Sequence, residues 1–284
     1  NESGAVSRAI RDLPALVKGL IDKGIYPIAR IACFRDVFVP KKRPDRAVQL
    51  AGGKVWKDRA GYAWLDPYNR ANWDYIGETV QLALDAGFPE VQLDYVRFPS
   101  EGKVSTMVFP SRKTYPDPKA IPTEVVREFS RTMRDKCHAA GAIISADIFG
   151  IVSSGKGDQG IGQELEIVAE PFDVLSPMVY PSHFAKGEYG VTNPDASPYA
   201  IVKKSLMDYQ KRLPGKEIRP WLQDFSLGVK YGKEQVRAQI KATYESGYDS
   251  WLLWNPRNNY TTEAFIDTTA LMPKTPVVAE AKSL

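Results

Sequence analysis

Asp94 stands in the run Val91-Gln92-Leu93-Asp94-Tyr95-Val96-Arg97-Phe98-Pro99, a carboxylate set among residues of strand type. Alternation along a strand places Gln92 and Asp94 on one face and Leu93 and Tyr95 on the other. A charge buried alone is expensive, so such a carboxylate is either paired or used. The bland reading is an ion pair with Arg30 or Arg97; a position late in the strand favours catalysis. Asp147 repeats the pattern in Ile143-Ile144-Ser145-Ala146-Asp147-Ile148-Phe149-Gly150, followed by a glycine that would let the chain turn. Two carboxylates on neighbouring strand ends are the minimum equipment for glycoside hydrolysis, one ionised and one held protonated. A separation of ~5–5.5 Å would imply the retaining mechanism, with Asp94 as nucleophile and Asp147 as acid/base. Asp147 as a mere orienting partner is the alternative, and Asp224, in Trp221-Leu222-Gln223-Asp224-Phe225, is its rival as proton donor.

Other strand ends offer groups suited to a hydroxyl-rich ligand: Arg30, Tyr95, Arg97, Tyr180 and His183, Gln223, Trp254 and Asn255, with Trp56 and Trp64 in a long excursion nearby. Amides and charges would hold hydroxyls while aromatic planes pack on sugar rings. Singly each is weak: Tyr180 or Trp254 is as readily core packing, and a lone His183 is more often a hydrogen-bonded loop residue. Asp66, before Pro67 and a helical run, reads as a helix N-cap. Asp173 and Asp249 open strands, on the stability face of a barrel. All three stay outside the site.

The positioning elements alternate. Apolar residues at helical spacing fill Ile10 to Ile21, and Tyr26 to Phe34 follows as a buried strand. Helix and strand then recur as Tyr68–Ala86 and Glu90–Arg97, Thr123–Ala140 and Ala142–Phe149, Gly162–Ala169 and Phe172–Tyr180, Pro198–Leu213 and Ile218–Gln223, Lys233–Ser246 and Asp249–Trp254. Such alternation implies right-handed crossovers and a parallel sheet buried on both faces. No strand is followed by Gly-x-Gly-x-x-Gly, and polar residues gather at strand C-termini. The expected fold is therefore an α/β, TIM-type (β/α)8 barrel lacking its first two strands in this chain. Loops leaving strands are long (about thirty residues between Phe34 and Asp66, then Ser100–Pro122 and Pro181–Ser197), which marks the C-terminal rim as the working face. Residues 1–271 are expected to form the barrel, and 272–284 a tail or linker.

Composition sets the outer bounds. The 284 residues are 43% hydrophobic and 25% charged, and the net charge of +4 is interspersed, with no basic stripe to suggest nucleic acid. No apolar run reaches the ~18–20 residues that span a bilayer. Cys33 and Cys137 read as buried free thiols. With only His138 and His183, the multi-histidine zinc sites of barrel hydrolases and the Asp-plus-two-His set of a polysaccharide deacetylase are disfavoured, and no cofactor or metal is expected.

The stretch Gln92-Leu93-Asp94-Tyr95-Val96-Arg97-Phe98-Pro99-Ser100-Glu101-Gly102 closely resembles the bacterial glycosyl hydrolase domain family first catalogued as a domain of unknown function. Further matching stretches run in order along nearly the whole chain: Ile28–Ile31, Val55–Arg59, Trp64–Tyr68, Ser145–Gly150, Ser176–His183, Arg219–Phe225 and Trp251–Pro256. The resemblance implies a TIM-type barrel distantly similar to the α-amylase superfamily, with Asp94 and Asp147 ending its fourth and fifth strands. Two departures stand out. Amylase-like enzymes use Glu as the acid, and their Arg precedes the nucleophile by two residues, whereas Arg97 follows Asp94 by three. The family also carries two upstream strands, the second ending in an acidic segment; in their absence the strands of Arg30 and Trp254 would be open edges, to be closed by an absent segment or another chain. The implied function is a glycosidase acting on a bacterial extracellular or cell-envelope polysaccharide, with export implied by resemblance alone. A non-catalytic carbohydrate-binding or scaffolding barrel is the competing class.

Overall fold

The computed structural model describes residues 10–272. The expected tail, apart from Met272, lies outside them. The chain divides into two compact units, one running to Ile148 and adding Lys156–Val174, the other comprising Phe149–Gly155 and everything from Leu175.

In the first unit the elements are α1 (Leu13–Ile21), β1 (Ile28–Ala32), a short α2 (Val39–Lys42), α3 (Arg70–Asp85), β2 (Glu90–Asp94), α4 (Pro122–Ala139), β3 (Ile143–Phe149) and α5 (Leu165–Ala169). The strands β1, β2 and β3 are parallel neighbours, with Arg30 opposite Gln92, Gln92 opposite Ser145, and Ala32 opposite Asp94. Leu93 pairs with Ala146, so Asp94 lies alongside Asp147 on the next step. One face of β2 and β3 is apolar, with Val91, Leu93, Ile144, Ala146 and Ile148 buried. The other is a buried polar ladder of Glu90, Gln92, Asp94, Ser145 and Asp147, with the Ser145 hydroxyl donating to Glu90. Helix α4 has its apolar residues at helical spacing, and Val125, Val126, Phe129, Met133 and Cys137 are buried. Phe129 meets Phe34 at 4.8 Å and Trp73 at 5.6 Å between ring centroids. Each such side chain contributes about 1.5–3 kcal/mol on burial. Cys33 and Cys137 are free and buried.

The excursion after β1 is not a loose loop. Antiparallel bridges pair Arg35 with Trp64, Ala47 with Leu65, Gln49 with Val55 and Lys57 with Ala63, folding it back on itself. Val48, Trp56, Trp64 and Leu65 are buried. Asp66 corrects another expectation: the N-cap of α3 is Asn69, whose side chain accepts from the Ala71 N–H. Asp66 instead accepts from the Tyr68 N–H at 3.0 Å and the Ser111 N–H at 2.8 Å, tying the 3₁₀ turn Pro110–Thr114 to the approach to α3.

The second unit carries β4 (Val174–Met178), α6 (Pro198–Arg212), β5 (Glu217–Ile218), β6 (Trp221–Gln223), α7 (Lys233–Glu245) and β7 (Leu252–Trp254). The parallel order is β4, β6, β7, with Met178 opposite Trp221 and Gln223 opposite Trp254; β5 pairs with β4. The single strand expected over Ile218–Gln223 is split, because Pro220 has no N–H to give the ladder. The chain turns at Gly150 into the 3₁₀ helix Gly150–Ser153, and the glycine also serves close approach: a Cβ there would lie 2.5 Å from the Met178 carbonyl oxygen.

Candidate functional site

The polar ladder culminates in three residues. Arg30 lies level with Gln92, two positions below Ala32, and its long side chain reaches up the strands. Its Nη2 donates to Asp94 Oδ2 and its Nε to Asp147 Oδ2, the latter at 2.9 Å. Nε and Nη2 share one edge of the guanidinium, the edge that usually grips a single carboxylate; here it is divided between two. Asp94 and Asp147 are buried while the Arg30 side chain is 37% exposed, so the cluster opens through the arginine. Burial raises the Asp94 carboxyl above the ordinary range, opposed by Arg30, by the Tyr95 N–H at 2.7 Å from Oδ1, and by Arg97 and Arg35. The Asp94 ion pair foreseen as the bland reading exists, with Arg30, but it joins the second carboxylate as well.

Tyr95, the residue directly after β2, lies in the left-handed region, at φ +51°. That conformation is costly for a non-glycine residue and breaks the strand's alternation. Its hydroxyl accepts from Arg35 Nη1 at 2.7 Å, and Arg35 Nε donates to Asp58 at 3.0 Å. The Tyr62 ring covers Arg35 at 4.0 Å. Burial alone would raise Asp58, but the Tyr62 N–H, the Trp64 indole N–H and Arg35 outweigh it and hold that carboxylate below its ordinary value. Arg35 and Asp58 were absent from the expected site. The signal for Arg35 was its place just beyond β1; Asp58 had none except its lying in a family-like stretch.

Several expected rim residues are placed otherwise. Trp56 and Trp64 are each 2% exposed, their indole N–H groups on the Lys103 carbonyl and on Asp58, so they pack the excursion rather than offer a face to a sugar. Arg97 is buried, donating to the Phe98 carbonyl and the Ser100 hydroxyl and lying 4.9 Å over the Trp64 ring. Burial lowers its guanidinium to about 10.

In the second unit, Gln223 is fully buried and spends its amide on Ser182, Phe225 and Asp195. Asp224 accepts from the Thr261 N–H and hydroxyl, both at 2.7 Å, which makes it an anchor for the chain after β7. Asn255 holds that same turn, accepting from the Arg257 N–H and donating to the Asp224 carbonyl. Trp254 is half-buried, edge-on to Trp221 at 5.8 Å. Tyr180 is buried against Phe225, and His183 is exposed at its edge. Arg30, Asp94 and Asp147 are thus brought together in one unit, and Tyr95 stands beside them in sequence.

Residues 1–260 match the family described as "Putative glycosyl hydrolase domain". The chain belongs to this family. A hypothetical protein from Ruminiclostridium thermocellum is 32% identical over 48% of this chain and 65% of its own, with a TM-score of 0.41; the chain thus spans just under two thirds of it. The glycoside hydrolase domain of PgaB (BpsB) from Bordetella bronchiseptica aligns over 89% of this chain and 77% of itself, at 12% identity and TM-score 0.65. An α-galactosidase from Thermus thermophilus, solved with p-nitrophenyl α-D-galactopyranoside, aligns over 92% of this chain and 50% of itself, at 14% identity and TM-score 0.56. No curated protein matches. The fold is that of a partial TIM-type (β/α) barrel. Among the described residues no helix is long and apolar enough to cross a membrane.

Proposed function

We propose that this domain hydrolyses glycosidic bonds of a bacterial extracellular or cell-envelope polysaccharide by a retaining mechanism, with Asp94 as nucleophile and Asp147 as acid/base. The observation that carries it is the sharing of one Arg30 edge by both carboxylates at the ends of adjacent parallel strands. Two acids on adjacent nitrogens of one guanidinium are close, nearer the ~5–5.5 Å of retaining enzymes than the ~6.5–9.5 Å that leaves room for a water in inverting ones. Asp147 is preferred to Asp224 as proton donor because both Asp224 oxygens are committed to Thr261. Membership of the family and the likeness to glycoside hydrolase barrels support the reaction class. Location outside the cell follows the family resemblance.

The Arg30 triad also suits a second reading, in which the ions are structural and the barrel only binds carbohydrate. The two are separated by incubating the protein with a panel of bacterial exopolysaccharides and peptidoglycan and analysing released oligosaccharides. Hydrolysis abolished by Asp94→Asn, with net retention at the reducing end, supports the enzyme. Binding without any product from the parent protein would overturn it.

A further inference from the structure

The peptide that joins Asp94 to Tyr95 is the last rung of β2, and its hydrogen bonds are unlike those of a continuing strand. Along a regular strand, successive carbonyls point to opposite edges and serve neighbours on two sides. Here two successive carbonyls face the same side: that of Asp94 accepts from the Cys33 N–H at 2.8 Å and that of Tyr95 from the Phe34 N–H at 3.3 Å, both just beyond β1. The φ of +51° at Tyr95 makes this turn and takes the chain off β3, whose pairing with β2 stops at Leu93 and Ala146. In a trans peptide the N–H points opposite to the carbonyl, so the Tyr95 N–H is directed away from β1. It donates to Asp94 Oδ1 at 2.7 Å instead of to a ladder carbonyl. Oδ2 of the same carboxylate is held by Arg30, so each oxygen has its own donor.

A residue with a Cβ does not adopt the left-handed region unaided, and the hold on Tyr95 comes from its far end. The hydroxyl accepts from Arg35 Nη1 at 2.7 Å, Arg35 Nε donates to Asp58 Oδ2 at 3.0 Å, and Asp58 is fixed by the Tyr62 N–H at 2.9 Å and the Trp64 indole N–H at 3.1 Å. The Tyr95 ring stands edge-on to Trp64 at 5.7 Å. We propose that the Asp58–Arg35–Tyr95 relay ends β2 at Asp94 by holding Tyr95 left-handed, and so assigns the Tyr95 N–H to the nucleophile's Oδ1. Asp58, Arg35 and Tyr95 are positioning residues. Asp94 is the group that meets the substrate, a role that rests on the proposed hydrolase function. The excursion after β1 thus reaches the site through Arg35 and Asp58, although its tryptophans are buried.

Two substitutions separate the hydroxyl from the backbone it holds. Tyr95→Phe removes the hydroxyl and keeps the ring; Tyr95→Gly removes both, but glycine takes positive φ freely. Neither alters the charged and titratable groups around Asp94, which are Arg30 and Cys33 from the β1 side, Asp147 from β3, and Arg35 and Arg97. In protein labelled with ¹³C and ¹⁵N, a strong amide–Hα cross-peak within residue 95 marks positive φ, and the pH midpoint read at that amide follows the carboxylate pair. The parent should show the cross-peak. Tyr95→Phe should lose most of it, and its midpoint should rise by about half a unit or more, since a donor to the charged form is lost. Tyr95→Gly should keep the parent's midpoint although denaturant melts rank it the less stable variant, an order that general loosening would reverse. Should glycine prevent folding, Tyr95→Asn, which also tolerates positive φ, takes its place. An unchanged cross-peak or midpoint in Tyr95→Phe overturns the relay, as does a midpoint raised equally in both variants. On any glycan the parent cleaves, kcat should fall about tenfold or more in Tyr95→Phe with KM little changed, and less in Tyr95→Gly. Equal kcat in the parent and Tyr95→Phe overturns the positioning role. The resonance pattern as expected, with no glycan cleaved by the parent, would leave the relay standing and sink the hydrolase reading.

Discussion

At the scale of single residues, Asp94 and Asp147 were legible because a carboxylate amid strand-forming apolar residues has few innocent explanations. What joins them was only half legible. Arg30 could be placed on the same rim, but its choice of partner depends on strand register, which no local pattern encodes. Trp56, Trp64, Arg97 and Gln223 show a related limit: residue type suggests ligand contact, whereas burial is set by the fold, and all four are buried and hydrogen-bonded within the protein. Asp94→Asn should lower kcat on any cleaved glycan by at least about 10³-fold, the order expected when a nucleophile is removed, and added azide should restore turnover through a glycosyl azide product. Arg30→Met leaves two buried carboxylates facing each other. Loss of one partner of a buried pair costs about 3–5 kcal/mol, less here because Arg30 is partly exposed, so about 2–4 kcal/mol is expected at pH 7. Mutual repulsion raises one carboxyl of the pair and lets it take up a proton as pH falls, so denaturant melts of Arg30→Met should approach the parent's stability near pH 5.

At the scale of elements, α3, α4, α6 and α7 fell within one or two residues of their sequence-read ends, since apolar periodicity and proline or glycine stops act locally. The strands came out shorter. Tyr95 shows why for β2: the run stays apolar to Phe98, but the backbone leaves the strand as soon as Asp94 has been placed. Asp66 gives this level a pH dependence. Burial raises its carboxyl to about 6, against the partly offsetting Ser111 and Tyr68 N–H groups. The folded value exceeds the unfolded one of about 3.9, so the folded state binds the extra proton. The stability this contributes is full below about pH 4 and is lost as pH rises through 6, an order of about 2–3 kcal/mol. Unfolding free energy measured from pH 4 to 7 should therefore fall less steeply in Asp66→Asn than in the parent. Gly150→Ala forces a methyl against the Met178 carbonyl and should lower stability by about 2–3 kcal/mol, read as a reduced denaturant midpoint.

At the scale of the whole molecule, the helix–strand alternation was enough to predict a parallel α/β barrel, because chain connectivity restricts such patterns to few topologies. The division into two units was not legible, since it follows which segments pack together rather than where composition changes. The two thiols give a measure of cooperative opening: both are buried, and burial raises Cys33 and Cys137 well above an ordinary thiol, Cys33 being raised further by Asp94 and Asp147. Ellman's reagent should find no reactive thiol in the native protein and two after denaturation; rapid native labelling would show the first unit to be loosely closed. The divided Arg30 edge has a last consequence, in charge arithmetic. One guanidinium stands against two carboxylates, so these three groups reach neutrality only by taking one more positive charge. On the proposed reading, the sugar's own developing cation supplies that charge as the bond breaks, so the deficit draws the reaction towards its transition state.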